Sequence, residues 1–279
     1  MVSSTKGYLY LALVLLLTAQ LLEASQLKVG AFNVQIFGTT KMSRPEVVEV
    51  LLNIIKTYDM VAIQEIRDST ETAIKDLLSQ FNKKFNLNYE LVVSSRQGRT
   101  ASKEQIGVLY NPSKVEITQT WEYMDSKDRF ERPPFVLKVT PKISGIPQFN
   151  WITIHVDPDK VETELTALYE VASEVESLWS LPRTLIMGDM NADCSYLSKR
   201  KQLTLKLFTS REWFVPLGDD VDTTVSLSDC AYDRIFYKGN FKVLANSANT
   251  FNFPIAYGLD QKKAQLISDH YPIEIVLTN

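Results

Sequence analysis

Short apolar runs alternate with amphipathic stretches along almost the whole chain, and this alternation restricts the folds open to it. Leu27–Val34 and Met60–Ile66 read as strands. Pro45–Lys56 between them has helical apolar spacing at Val47, Val48, Val50, Leu51, Ile54 and Ile55. A second helix fits Glu71–Phe81, and strand-like runs follow at Tyr89–Ser94, Gln105–Tyr110, Val115–Tyr123, Pro134–Val139 and Asn150–His155. Val161–Leu178 is expected to be one long helix, with Leu165, Leu168, Ala172 and Val175 on one face. Strands return at Thr184–Gly188, Asp233–Tyr237 and Ile273–Leu277. Hairpins in the middle, flanked by strand–helix–strand units, predict a layered α/β fold with mixed sheets rather than one doubly wound sheet. No repeat, low-complexity stretch or linker interrupts residues 25–279, so one domain is the economical reading.

Residues 1–24 are set apart. Lys6 precedes an apolar run from Tyr8 to Leu22, and small residues follow at Ala24 and Ser25, the layout of a cleaved secretory signal. The run is shorter than the roughly 20 apolar residues of a membrane span, and Gln20 and Glu23 interrupt its end. An exported protein without a membrane anchor is therefore expected. Removing Lys6 and Glu23 together leaves the net charge at −3, so no global positive field draws a polyanion, and any nucleic-acid contact must be local. In an oxidising compartment Cys194 and Cys230 read as one disulfide, with two free buried thiols as the other reading. Trp121, Trp151, Trp179 and Trp213 read as packing residues, not base-stacking platforms.

The chain has two histidines, each beside an acid, in Ile-His-Val-Asp-Pro (154–158) and Ser-Asp-His-Tyr-Pro (268–272). Four further polar clusters end or begin apolar strands: Asn33 and Gln35, Gln64 to Asp68, Asp189 and Asn191, and Asp233 and Arg234. Any one of these could be a cap or a satisfied core amide, since buried polar groups need partners. Together they fit one polar cleft. Carboxylate and amide oxygens suit a hard cation such as Mg2+ or Mn2+, and imidazole–acid couples suit proton transfer near neutrality. That combination favours phosphodiester hydrolysis with no covalent step, because no zinc-spaced His/Cys set, phosphate-cradling glycine loop or nucleophile elbow is present.

The strings Leu-Lys-Val-Gly-Ala-Phe-Asn-Val-Gln (27–35), Val-Ala-Ile-Gln-Glu-Ile-Arg-Asp-Ser (61–69), Met-Gly-Asp-Met-Asn-Ala (187–192), Cys-Ala-Tyr-Asp-Arg-Ile (230–235) and Ile-Ser-Asp-His-Tyr-Pro (267–272) resemble the deoxyribonuclease I family. The match runs in order over essentially all of 25–279. The resemblance implies a four-layer α/β sandwich: two packed, mostly antiparallel mixed sheets flanked by helices. It implies His155 with Glu104 and His270 with Asp233 as catalytic couples. It implies Glu65 and Asp189 at a Mg2+ or Mn2+ cleft, with Asn33, Arg67, Arg132, Asn191 and Asp269 binding substrate. It also implies a Cys194–Cys230 disulfide and a structural Ca2+ near Asp222 and Thr224, where Ser226 and Ser228 replace the usual threonines. The implied function is a secreted endonuclease, monomeric, that cuts double-stranded DNA to 5′-phosphate ends.

The chain departs from the family pattern at Ser102, where a groove-contacting tyrosine is usual, and in Met124–Arg132, where a second calcium loop is shortened. It ends at Asn279 without a basic tail, which points to free DNA rather than chromatin. Val93 fits an actin-binding surface but Leu91 and Pro134 do not, so no actin partner is assigned. Two other readings stay open: a phosphatase or phosphodiesterase of the same superfamily acting on a phospholipid or inositol phosphate, and a binding protein that has lost turnover on this scaffold.

Overall fold

A computed structural model describes residues 25–279, so the signal-like segment 1–24 lies outside the described residues. In chain order the strands are β1 (Gln26–Phe37), β2 (Met60–Ile66), β3 (Glu90–Val93), β4 (Gln105–Tyr110), β5 (Val115–Glu122), β6 (Phe135–Pro141), β7 (Phe149–Thr153), β8 (Thr184–Asp189), β9 (Trp213–Phe214), β10 (Asp233–Lys238), β11 (Lys242–Val243), β12 (Asn249–Thr250) and β13 (Ile273–Thr278). The helices are α1 (Thr39–Met42), α2 (Pro45–Ile55), α3 (Ala73–Phe85), α4 (Val161–Leu178), α5 (Lys199–Gln202), α6 (Lys206–Thr209), α7 (Phe253–Tyr257) and α8 (Gln261–Ile267).

Two mixed sheets pack face to face. One runs β11-β13-β1-β2-β4-β3, with β12 also paired to β13; the other runs β5-β6-β7-β8-β10-β9. Among the described residues only β1–β2 and β7–β8 are parallel pairs. Strand period explains the layering. Leu27, Val29 and Ala31 of β1 face inward and meet Leu137, Trp151, Leu185, Met187 and Ile235 from the opposite sheet. The alternate residues Phe32 and Val34 face outward, under Val47, Leu51 and Ile54 of α2. The second sheet repeats this, with Ile152, Ile186 and Phe236 beneath Leu165, Leu168 and Val175 of α4. Strands covered on both faces read as continuous apolar runs, which is why β2 and β8 stand out in the sequence. The four-layer expectation holds.

β2, β4 and α4 have the expected bounds. α3 starts two residues later than expected and runs on to Phe85, because Asp68 gathers the amides of Thr70, Thr72 and Ala73 ahead of it. β1 reaches Phe37, past an irregularity between Asn33 and Phe37 in its pairing with β2. The two sheets meet at one end through Gln64, a fully buried β2 side chain. Its Nε2 donates to Ile154 O at 2.5 Å and its Oε1 accepts from Asp189 N at 3.1 Å. Gly188 leaves the room: a Cβ there would lie 2.3 Å from Ile154 O and 2.6 Å from Gln64 Nε2, at a φ of +149°.

Candidate active site

The β-strand ends deliver the site. β1, β2 and β8 end on it and β10 begins on it, because β10 runs antiparallel to β8 with Asp233 opposite Asp189. The segment after β7 is held there as well, since Val156 N donates to Asp189 O.

His155 Nδ1 lies 2.8 Å from Glu104 Oε2, and His270 Nδ1 lies 2.7 Å from Asp233 Oδ2. Each acid orients its ring and leaves Nε2 free for chemistry. Both Nε2 atoms are 3.5 Å from a single atom, Asp189 Oδ2. The two couples, whose histidines are 115 residues apart in sequence (270 less 155), thus meet at one carboxylate. Asn33 Nδ2 donates to the same Asp189 oxygen at 2.9 Å and to Glu65 Oε1 at 3.1 Å, so the amide stands between the two carboxylates.

Backbone bends aim several of these groups. Gln35, Ile36 and Glu65 have φ of 43°, 52° and 57°. Positive φ is unfavourable for a β-branched residue such as Ile36, and such strain persists where surrounding contacts over-determine it. Here it turns Ile36 N–H onto Glu65 Oε2 at 2.9 Å. Asn191, at φ 48°, donates from its own N–H to Asp189 Oδ1 at 3.0 Å and from Nδ2 to Val156 O at 2.9 Å. Gln35 Nε2 donates to Asp269 Oδ2, and Asp269 Oδ1 lies 3.9 Å from His270 Nε2.

The electrostatics follow. Burial lowers the His270 pKa, but the carboxylates of Asp233 and Asp189 outweigh it and raise the ring to about 10. His155 is also raised: burial opposes, while the bond to Glu104 and the charge of Asp189 prevail. Asp189 is lowered in return, because both imidazoles and its N–H donors overcome burial. Burial likewise raises Glu104, but its bond to His155 and the charges of His155, Arg132 and Arg67 bring it below its ordinary value.

The donor set fits a hard cation. Asp189, Asp233 and His270 offer atoms within 4.8 Å of one another, and Asp233 Oδ1 is buried with no hydrogen-bond partner; the carboxylate oxygens suit such an ion, whereas His270, protonated beside two carboxylates, offers it no lone pair. Of the expected metal pair, Asp189 belongs to this group, while Glu65 adjoins it through Asn33. At the expected calcium position, Asp222 Oδ1 accepts from the N–H and Oγ1 of Thr224, both at 2.9 Å. The Cys194–Cys230 disulfide closes the neighbouring segment.

The arginines are less free than the sequence suggests. Arg67 Nη2 lies 3.0 Å from Glu65 Oε2 and 2.8 Å from Glu104 Oε1, and Arg132 Nε donates to His155 O. Arg99 pairs with Asp128 and Glu131, Arg96 donates to Lys103 O, Lys199 pairs with Asp193 and Asp219, and Lys201 with Glu162. Sequence reasoning did not single out the sheet-bridging role of Gln64 or the Ser268 hydroxyl, which donates to Asn33 O and accepts from His270 N. An amide beside Glu65, in a strand whose other residues are apolar, was the available signal for Gln64.

A two-sheet sandwich with paired imidazole–acid couples at its strand ends defines a class of phosphoester hydrolases. Residues 30–270 match the Endonuclease/Exonuclease/phosphatase family. Deoxyribonuclease-1 of Bos taurus is 37% identical over 283 residues, covering 98% of this chain and 100% of the bovine one. Deoxyribonuclease-1 of Homo sapiens is 37% identical over 282 residues, covering 98% and 99%. Among solved structures, D. rerio TDP2 complexed with single strand DNA product superimposes with a TM-score of 0.64 at 16% identity, covering 91% of this chain and 100% of that one. The Bacteroides thetaiotaomicron mannosyl-6-phosphatase Bt3783 gives 0.60 at 15%, covering 91% and 100%; these two likenesses concern the fold alone. The chain belongs to the deoxyribonuclease I family of the endonuclease/exonuclease/phosphatase superfamily, and it is a hydrolase of the nuclease type.

Proposed function

We propose that this protein is a secreted, divalent-metal-dependent endonuclease that hydrolyses phosphodiester bonds of free double-stranded DNA, leaving 5′-phosphate ends and acting as a monomer. The observation that carries the reading is the convergence of both Nε2 atoms on Asp189 Oδ2. The full-length similarity to Deoxyribonuclease-1 supports DNA as the substrate over a lipid or sugar phosphate. The signal-like 1–24 segment and the disulfide support export.

Mg2+ or Mn2+ held by Glu65 and Asp189 would neutralise charge developing on the phosphate. The chain's own residues divide the remaining work. His270, held protonated by Asp233, gives its Nε2 proton to the leaving oxygen. His155 takes the proton of the attacking water. Its partner Glu104 shares its charge with Arg67 and Arg132, so this ring is held less firmly in its protonated form. Asn33 and Asn191 fix the carboxylates, and Arg67 and Arg132 meet the DNA backbone at the rim. Ca2+ at Asp222 and Thr224 would brace the turn before Cys230.

A supercoiled-plasmid nicking assay with Mg2+ and Ca2+ tests this. His155→Ala and His270→Ala should each lower turnover by about 10²–10⁴-fold, and metal omission should abolish it. An intact plasmid with every metal combination would favour a binding protein, and hydrolysis of a phosphoinositide without nicking would favour the lipid-directed reading.

A further inference from the structure

Lys41 is a lysine where a surface residue is expected. It lies on α1, a single turn between β1 and α2, yet it is only 8% exposed. Its ammonium donates to two backbone carbonyls, Val34 O and Ile267 O, the latter at 2.6 Å. Among the described residues no carboxylate lies within salt-bridge distance of it, and burial brings its pKa down to about 8 against the opposing charges of Asp269 and Glu65. A buried ammonium spent on carbonyl oxygens is unusual, because an ammonium is costly to desolvate and carbonyls are normally satisfied by peptide N–H groups.

The two carbonyls explain it. Val34 follows Asn33, whose amide stands between Asp189 and Glu65. Ile267 ends α8 and opens the Ser268–Asp269–His270 turn. Lys41 therefore ties the end of β1 to the base of the His270 turn. Two parallel ties run beside it: Ser268 Oγ donates to Asn33 O at 2.6 Å, and Gln35 Nε2 donates to Asp269 Oδ2 at 2.8 Å. The His270 ring is hydrogen-bonded to Asp233 in the other sheet, while its backbone is held to the first sheet through Ser268 and flanked by Thr223–Val225, with Tyr271 N donating to Thr223 O and Val225 N to Asp269 O. Lys41 does not reach the His155 segment, which is set by Glu104 and Arg132 and held by Gln64 on Ile154 O and by Val156 N on Asp189 O.

We propose that Lys41 is a positioning residue for the nuclease reaction, an internal ammonium brace that fixes the His270 turn against β1 and so sets the distance between the His270 couple and Asn33. The proposal rests on the nuclease reading above and assigns Lys41 no contact with substrate. A displacement of about 1 Å in catalytic geometry is enough to cost on the order of 10²-fold in rate. Loss of the brace should therefore appear in kcat, with KM for DNA little changed because the rim residues stay in place.

Lys41→Met, which keeps the length and removes the donors, is compared with Lys41→Arg, which keeps them. Steady-state nicking is measured together with the imidazole NMR signals. The two histidines give two sets of ring resonances, assigned with His155→Gln and His270→Gln. Expected for Lys41→Met is a fall in kcat of about ten- to a hundred-fold, a shifted His270 resonance and an unmoved His155 resonance, with Lys41→Arg recovering most of the rate. Unchanged kcat and an unmoved His270 resonance would overturn the proposal, as would equal movement of both rings, which marks general loosening. If Lys41→Met does not fold, Lys41→Gln, which retains one N–H donor group, is read by the same criteria. If the wild type itself fails to nick DNA, the nuclease reading falls, while the selective His270 shift still decides whether the brace exists.

Discussion

Asp189→Asn is the sharpest test of a site built around one shared acid. Asp189 Oδ2 stands 3.5 Å from the Nε2 of each histidine, and the side chain is 1% exposed. At an effective dielectric of about 20, a unit charge at that separation is worth about 5 kcal/mol to each protonated ring. A pKa unit corresponds to about 1.4 kcal/mol, so the upper limit is a fall of roughly 3 units in both imidazoles at once. Asparagine keeps the shape and can still accept from Asn33, so the charge is what changes. The assay is an NMR titration of the two rings in metal-free buffer, beside nicking with Mg2+. Both pKa values should fall by about one to three units, and turnover by about 10²-fold or more. The wild type supplies a second readout. Because the folded His270 pKa is raised to about 10 from an ordinary 6.5, its stabilising contribution is full below 6.5 and is lost as pH rises through 10. Asp189→Asn should reduce that alkaline loss. If only one ring responds, the two couples do not share an acid and the reasoning fails.

Four further outcomes can be checked. Replacing Cys194 and Cys230 by alanine opens a loop of 36-residue separation, which should cost about 4 kcal/mol in urea unfolding, and a change under about 1 kcal/mol would mean that the unfolded chain is already restrained there. Asp68→Ala removes the acceptor for the Thr70, Thr72 and Ala73 amides and should cost about 2 kcal/mol at neutral pH. Those amides and the Thr70 hydroxyl outweigh burial and hold Asp68 at about 2, so the difference from wild type should be full above 3.8 and close as pH falls through 2. Gly188→Ala places a methyl against Ile154 O and Gln64 Nε2 and should cost at least about 3 kcal/mol in stability; a normal melting temperature would show that the sheet ends part without cost. Ser102→Tyr, beside Arg67 at the rim, should lower KM for duplex DNA by about tenfold on the scale of aromatic stacking, and an unchanged KM would remove Ser102 from the DNA path.

What the sequence made visible tracks how many residues share one physical signal. α4 spends 18 residues on one apolar face, and β2 and β8 are buried on both sides, so periodicity and apolar runs locate them. The short helices α1 and α5 to α8 span 4 to 7 residues, too few turns for a face to repeat, and they passed unseen. The site divides in the same way. The pairings of His155 with Glu104 and His270 with Asp233 came from likeness to a family, because nothing local in the chain links residues 51 or 37 positions apart.

What stayed hidden were groups whose role depends on where other strands end. Arg67 looks in sequence like a free cation for DNA; in space it keeps an exposed edge but is also paired with Glu65 and Glu104. Lys41 carries no sequence signal that sets it apart from other lysines and is a buried donor to two carbonyls. Gln64 looks like a neighbour of Glu65 and instead pins the two sheets together. A polar residue acquires such a role only when the sheet registers bring a backbone group within about 3 Å of it. Registers are set by the apolar faces, and the polar residues then take whatever partners those faces supply. A substitution in the shared core beneath the strand ends, at Met187 or Ala31, should therefore disturb the spacing between the histidine couples without touching either one.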